Sequence, residues 1–288
     1  MSTPMHKGIF PAMLQQVGKV DFQLLAFPEI IELRDDLKAA EASGDVEAVK
    51  AIQKQIDRCK PTQKQIIVLG IEYLLNLCKA NKWQLAAQHG RGYVYNGAYW
   101  QAVNEGDLKQ FLGQALEKMG VRFVDAKYFK FRDDLTKQFF TSAHLPAPEH
   151  DRGTVCINLR NGTLTVGTEG VQLRAAKPED FLRYQLAFDY DPAATAPKWL
   201  AFLCEMLPDP EVQRVLAEAL ALAFLPSSVR KLEKIPVLLG PGGNGKSVVA
   251  EVLTAVLGRA NVSGHSLKLL TGSENGRADL QDRLINIS

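Results

Sequence analysis

Apolar positions follow helical spacing up to about residue 60. Leu33 to Glu41 is built from strong helix formers, and Ser43-Gly44-Asp45 interrupts it. Asp45 is a good N-cap residue. Val46, Val49, Ile52 and Ile56 follow at three- and four-residue spacing, and Lys60-Pro61 ends the run. The pattern predicts a helical hairpin. Ile66, Leu69, Tyr73 and Leu77 share one side of a further helix predicted over 63–80.

The period then changes. Gly92 to Trp100 surrounds Asn96-Gly97, and Cys156 to Val166 surrounds Asn161-Gly162. Both predict β-hairpins, with Asn96 and Asn161 as turn residues. Between them, Asp107 is expected to cap a helix carrying Leu108, Phe111, Leu112, Ala115 and Met119. A second helix is predicted over roughly 125–144. Its Tyr128, Phe131, Leu135 and Phe139 form a stripe expected in the core, with Lys127, Lys130 and Lys137 solvated. The alternative for Lys127-Tyr128-Phe129-Lys130-Phe131-Arg132 is a surface for a nucleic-acid strand, with phosphate contacts and base stacking. Asp189-Tyr190-Asp191-Pro192 reads as a loop and not as a metal site. Trp199–Leu207 and Glu211–Leu225 read as helices separated by Pro208-Asp209-Pro210. Residues 1–62 are therefore a helical segment, and residues 63–226 an α+β domain.

Composition narrows the class. The chain has 288 residues, 46% apolar and 23% charged, which excludes a disordered or collagenous chain. Lys plus Arg number 34 against 32 Asp plus Glu, and the isoelectric point is about 8.3. A nucleic-acid contact must then come from a local patch. Cys59, Cys78, Cys156 and Cys204 are scattered, and His6, His89, His144, His150 and His265 are unclustered, so no zinc site or catalytic triad is legible. Trp83, Trp100 and Trp199 read as packing residues. No signal peptide or membrane-length apolar run is evident, and the protein is expected to be soluble and cytoplasmic.

The candidate chemistry lies in the last stretch. Ile235-Pro236-Val237-Leu238-Leu239 predicts a buried strand, and a helix is predicted from Lys246 to Leu257. Between them, Gly240, Pro241, Gly242, Gly243, Asn244, Gly245, Lys246 and Ser247 fit G-x-x-x-x-G-K-[ST]. Glycines let backbone N–H groups turn toward phosphate oxygens, and the helix N-terminus favours an anion. Lys246 would reach the β- and γ-phosphates of ATP, and Ser247 would ligate Mg²⁺. This predicts the start of a P-loop α/β ATPase domain over 227–288. Leu284–Ile287 reads as another strand, with Asp279 and Asp282 at its wrong end for catalysis; the catalytic residues stay unassigned. About 60 residues are fewer than the roughly 100 of a usual domain, so the chain is expected to stop inside one. Arg230, Lys231 and Lys234 read as a solvated linker, with a DNA contact as the alternative.

Together these residues resemble the phage and plasmid primase–helicase family. They are Tyr95-Asn96-Gly97-Ala98-Tyr99-Trp100, Ile157 to Leu164, Asp189 to Pro192, Pro197-Lys198-Trp199 with Phe202-Leu203, and Gly240 to Ser247. Asp279-Leu280 and Arg283 to Ile287 resemble the run into that family's second nucleotide motif. The resemblance covers roughly 65–288. It implies a superfamily 3 DNA helicase, its 227–288 part the start of an AAA+-like ATPase, preceded by a domain of the poxvirus primase–helicase type over 63–226. It also implies ATP and Mg²⁺ as cofactors, a homo-hexamer, and translocation on single-stranded DNA in replication. The second acidic motif, the polar sensor and the arginine finger would all follow Ser288, so this chain alone is expected to hydrolyse ATP poorly or not at all. No primase catalytic domain is evident in the first 60 residues. The competing reading is a non-hydrolysing adaptor that binds DNA or the replisome through 63–226. A P-loop small-molecule kinase would leave that region without a role.

Overall fold

The computed structural model describes residues 5–81, 83–146, 153–225, 236–264 and 285–287. Two compact units emerge: the described residues of 1–97 with 101–147, and those of 98–100 with 148–288. The architecture is α+β, with helices and small antiparallel sheets, plus one short parallel strand pair.

In the first unit, helix α1 (Met5–Gln16) and the short α2 (Phe22–Ala26) precede a helical hairpin, α3 (Ile30–Ser43) and α4 (Val46–Arg58). Gly44 turns between them at φ +74°, and the Asp45 carboxylate accepts from the N–H groups of Glu47 and Ala48. The predicted hairpin and cap are both present. Helix α5 (Gln63–Ala80) opens on a capping box between Thr62 and Gln65. Its Ile71 and Leu74 are fully buried.

The first sheet has three strands, not two. β1 (Gln84–Gln88) pairs antiparallel with β2 (Arg91–Tyr95), and β3 (Trp100–Val103) lies beyond β2. The β1–β2 turn is His89-Gly90, both at positive φ. Such a pair is the standard tight hairpin turn. Helix α6 (Glu105–Met119) follows, and its cap is Asn104, whose side chain accepts from Gly106 N–H. Asp107, expected as the cap, lies inside the first turn. The predicted single helix over 125–144 is two: α7 (Phe123–Lys127) and α8 (Phe129–Ser142), broken at Tyr128 with an extended ψ of 127°. Phe131, Leu135 and Phe139 are buried as expected, but Tyr128 is exposed. The break turns its side chain off the stripe that continuous spacing implied. The core gathers α1, α5, α6, α8 and the sheet, with Phe10 stacked on Phe111 at 4.2 Å between centroids. Burial pushes the Cys78 thiol up from its ordinary 9.0 to about 12.

The second unit contains β4 (Val155–Leu159), β5 (Gly162–Gly167) and β6 (Gly170–Arg174), an antiparallel meander. The Asn161-Gly162 hairpin is present; β6 extends it through the tight Thr168-Glu169 turn. Asn161 does more than turn the chain: its side chain donates to Tyr190 O and accepts from Tyr190 N, clamping the predicted loop. Arg160 pairs with Asp189 at 3.3 Å, and the Asp191 carboxylate accepts from Ala193 N–H. Asn158 is fully buried and donates to Ala98 O and Tyr184 O. Trp100 is buried too, with its indole N–H on Pro178 O at 2.8 Å. Arg174 forks onto both oxygens of Asp180 at 2.7 and 2.8 Å. The guanidinium also lies 3.6 Å from Cys156 Sγ, but burial, then Asp180, raises that thiol's pKa.

Helices α9 (Pro197–Met206) and α10 (Pro210–Ala221) come next, close to their predicted bounds. Helix α11 (Lys246–Leu257) matches its predicted range. Beyond it, β7 (Val262–Gly264) pairs in parallel with β8 (Ile285–Ile287). The strand expected at 235–239 is absent over its described residues, 236–239, which are irregular. A buried-type strand needs neighbours to satisfy its backbone, and Leu239 is 90% exposed. Leu284, Asp279, Asp282, His150, His265, Arg230, Lys231 and Lys234 lie outside the described residues. Among the described residues, no helix is long and apolar enough to cross a membrane.

Candidate phosphate-binding site

The strongest candidate is the loop Gly240–Ser247. Its shape follows from its glycines. Gly243 and Gly245 adopt φ of +80° and +75°, a region costly for residues with a Cβ. Gly245 also sits against α9: a Cβ there would lie 2.7 Å from Met206 Cε and 2.9 Å from Phe202 Cζ. At Gly240 a Cβ would overlap the Asn244 amide. Two of the four glycines are thus required by backbone conformation, and at Gly240 the Asn244 side chain would have to shift.

Gly245 is the N-cap of α11 and gives it no side-chain hydrogen bond. The first-turn N–H groups and the positive end of the helix dipole remain suited to an anion. Ser247 is exposed on that first turn. The Lys246 ammonium folds back over the loop. It donates to Gly240 O at 2.8 Å, Pro241 O at 3.1 Å and Asn244 Oδ1 at 2.5 Å. Asn244 is therefore a ligand of the lysine as well as a loop residue. Gly240, Pro241, Gly242, Gly243, Asn244, Gly245, Lys246 and Ser247 form one loop that runs onto a helix N-terminus. The donor set fits a polyphosphate, and Ser247 offers a hydroxyl to Mg²⁺. Among the described residues, no group of three or more His, Cys, Asp or Glu side chains could hold a metal ion.

A hollow lies elsewhere on α11, lined by Ala250, Thr254 and Ala255 with Val262 of β7. None of the phosphate-loop residues lines it. A second surface enters the sequence reading only as the alternative to a core stripe, and without Phe123. Phe123, Tyr128 and Phe129 are exposed aromatic side chains where α7 meets α8. The signal was present in the interleaving of Lys and aromatic residues, but helical spacing assigned Tyr128 to the core.

Residues 72–208 match the family described as D5 N terminal like, just under half of the chain. The match supports the primase–helicase N-terminal domain in that region. It starts within α5, ends just after α9, and does not include the phosphate loop. No curated protein matches the chain.

Proposed function

We propose that this chain is the ATP-binding portion of a phage- or plasmid-type superfamily 3 DNA helicase acting in replication. One observation carries the reading. A G-x-x-x-x-G-K-S loop, with two glycines at positive φ, opens directly onto the N-terminus of an apolar helix. The D5-type region before it supports a replication role.

In this reading the backbone N–H groups of the loop and the first turn of α11 hold the β- and γ-phosphates. Lys246 exchanges Gly240 O and Pro241 O for phosphate oxygens, while Asn244 Oδ1 keeps its ammonium near the loop. Ser247 holds Mg²⁺, which neutralises charge on the transferring phosphoryl group when bound. ATP hydrolysis in the complete assembly, a homo-hexameric ring of AAA+ type, moves single-stranded DNA.

The test is binding of a fluorescent ATP analogue with and without Mg²⁺, alongside hydrolysis with and without single-stranded DNA. Lys246→Ala removes charge-assisted hydrogen bonds worth ~1.5–3 kcal/mol each, so affinity should fall at least about 10-fold. Ser247→Ala should abolish the Mg²⁺ dependence of binding while sparing Mg²⁺-free binding. Unchanged binding by Lys246→Ala overturns the site. Lysine-dependent binding with no turnover under any condition favours the adaptor reading.

A further inference from the structure

We infer that the α7–α8 corner of the first unit is a stacking surface for single-stranded nucleic acid. This rests on the functional reading above and deepens it by naming where the strand lies. Four large apolar side chains stand in solvent within seven residues: Phe123 at 56% exposure, Val124 at 75%, Tyr128 at 50% and Phe129 at 69%. Three are aromatic, the side chains on which bases stack without regard to sequence. The Tyr128 and Phe129 rings meet edge to face at 5.0 Å between centroids.

The charge of this surface favours a polyanion over an apolar protein face. Residues 121–134 carry Arg122, Lys127, Lys130 and Arg132 against the carboxylates of Asp125, Asp133 and Asp134, and the two exposed lysines stand beside the rings. Asp125 is held by Arg122 at 2.7 Å. Asp133 is held by Lys109. Lys127 and Lys130 are exposed, and the Lys127 ammonium sits 3.8 Å over the Phe123 ring. A phosphate could take that ammonium while a base takes the ring.

The corner is also braced from beneath. Ala126 is fully buried, and its carbonyl accepts from Arg132 Nε at 2.9 Å. Gly113 of α6 makes room for this: a Cβ there would lie 2.7 Å from Arg132 Nε and 3.1 Å from Ala126 O. Arg132 N–H donates to Tyr128 O, and Tyr128 N–H to Asp125 O. The rings therefore project from a backbone fixed on α6. Binding would not have to order it first.

The experiment is fluorescence anisotropy of a labelled oligo(dT) strand with the full chain, without nucleotide, over a range of salt. Phe129→Ala and Tyr128→Ala should each weaken binding about 5-fold or more. Phe129→Tyr, which keeps a ring, should bind as the parent does; Phe129→Leu, apolar without one, should fail as Phe129→Ala does. Lys127→Ala with Lys130→Ala should weaken binding and lower the salt slope by roughly 1.4. These side chains are exposed, so unfolding temperatures should stay put. No binding of oligo(dT) by the parent overturns the inference, and so does unchanged affinity across the ring variants. A change in sedimenting mass with DNA affinity intact also overturns it, and makes the corner a contact between copies. Nucleotide binding, measured on the same samples, separates the two readings. Strand binding that needs Phe129 in a chain that binds no ATP would sink the helicase reading and leave the surface standing.

Discussion

Truncating Asn158 isolates the second unit's most buried polar contact. Asn158 is fully buried on β4, opposite Thr163 of β5. Its amide donates at 2.8 Å to Ala98 O and at 2.9 Å to Tyr184 O, tying two segments distant in sequence to the meander. Asn158→Ala would leave both carbonyls without that donor. Each of the two hydrogen bonds is worth ~1 kcal/mol net, and half-buried carbonyls left short of a donor raise the total to roughly 3–4 kcal/mol. An opposing effect is visible, because Asn158 Oδ1 is itself buried without a partner and would vanish. We expect a net loss of ~2 kcal/mol, and hence about 30-fold faster exchange of amides that open with this cluster. The Leu186 N–H, which donates to Asn158 O, and the Trp100 N–H, which donates to Leu182 O, report on it. Asn158→Asp should be worse than Asn158→Ala, because a carboxylate would face two carbonyl oxygens. Amide exchange by mass spectrometry and urea unfolding followed by tryptophan fluorescence read the effect. An Ala variant within ~0.5 kcal/mol of the parent, or an Asp variant as stable as the Ala variant, would refute the reasoning.

The Cys78 thiol adds a dependence on alkaline pH. Its ordinary value of 9.0 applies unfolded and about 12 applies folded, so its contribution is full below pH 9. It falls by ~1.4 kcal/mol per pH unit as pH rises toward 12. Urea midpoints against pH should be flatter for Cys78→Ala, with a residual slope from Tyr184 and Cys156, whose pKa values burial also raises. Arg174→Lys loses the two-pronged contact to Asp180 and should cost ~1–2 kcal/mol by thermal unfolding; a cost below ~0.3 kcal/mol would mean that the fork is dispensable. Gly245→Ala meets a left-handed backbone, worth ~1–2 kcal/mol, and the Met206 and Phe202 side chains. It should abolish nucleotide binding, whereas Gly242→Ala, with nothing within 4 Å of its Cβ, should leave the unfolding temperature unchanged.

Legibility in the sequence tracked how local the determining physics was. α4 and α11 were readable because Asp45 and the Gly245–Gly258 pair mark their ends within the chain. The Asn161-Gly162 turn declared its hairpin for the same reason. β1 was missed because Gln84-Leu85-Ala86-Ala87-Gln88 has little strand propensity. It exists through pairing with β2 and through backbone bonds from Ala87 to Ala143 and Leu145, more than fifty residues on. Tyr128 was misplaced because the spacing 128, 131, 135, 139 suits one helix, and a single extended ψ at its first member is invisible in the pattern. Around 240–247 the turn and the start of α11 were legible, because Gly243 and Gly245 take the positive φ that only glycine adopts freely. The strand before it was not found over 236–239, since a strand is made by neighbours and five apolar residues do not name them.

The loop nevertheless has a defined shape without that strand, and its supports explain why. Gly245 lies against Phe202 and Met206, and Phe202 is itself stacked on Trp199, so the loop leans on the end of α9. Lys246 closes the loop from inside by binding two of its carbonyls and Asn244. At the other end of α11, Leu257 is buried in a cluster with Leu159 and Leu164 of the β4–β5 hairpin and with Leu186. Helix α11 has 12 residues and so spans about 18 Å between these anchors. The Asn-Gly hairpin and the phosphate loop, separate motifs in the sequence, are thus the two ends of one packed unit. A ligand that tightens the loop stabilises the folded form of that unit as a whole. The end of the matched region, at Phe202 and Met206, therefore supplies the seat of the 240–247 loop as well as preceding it in the chain.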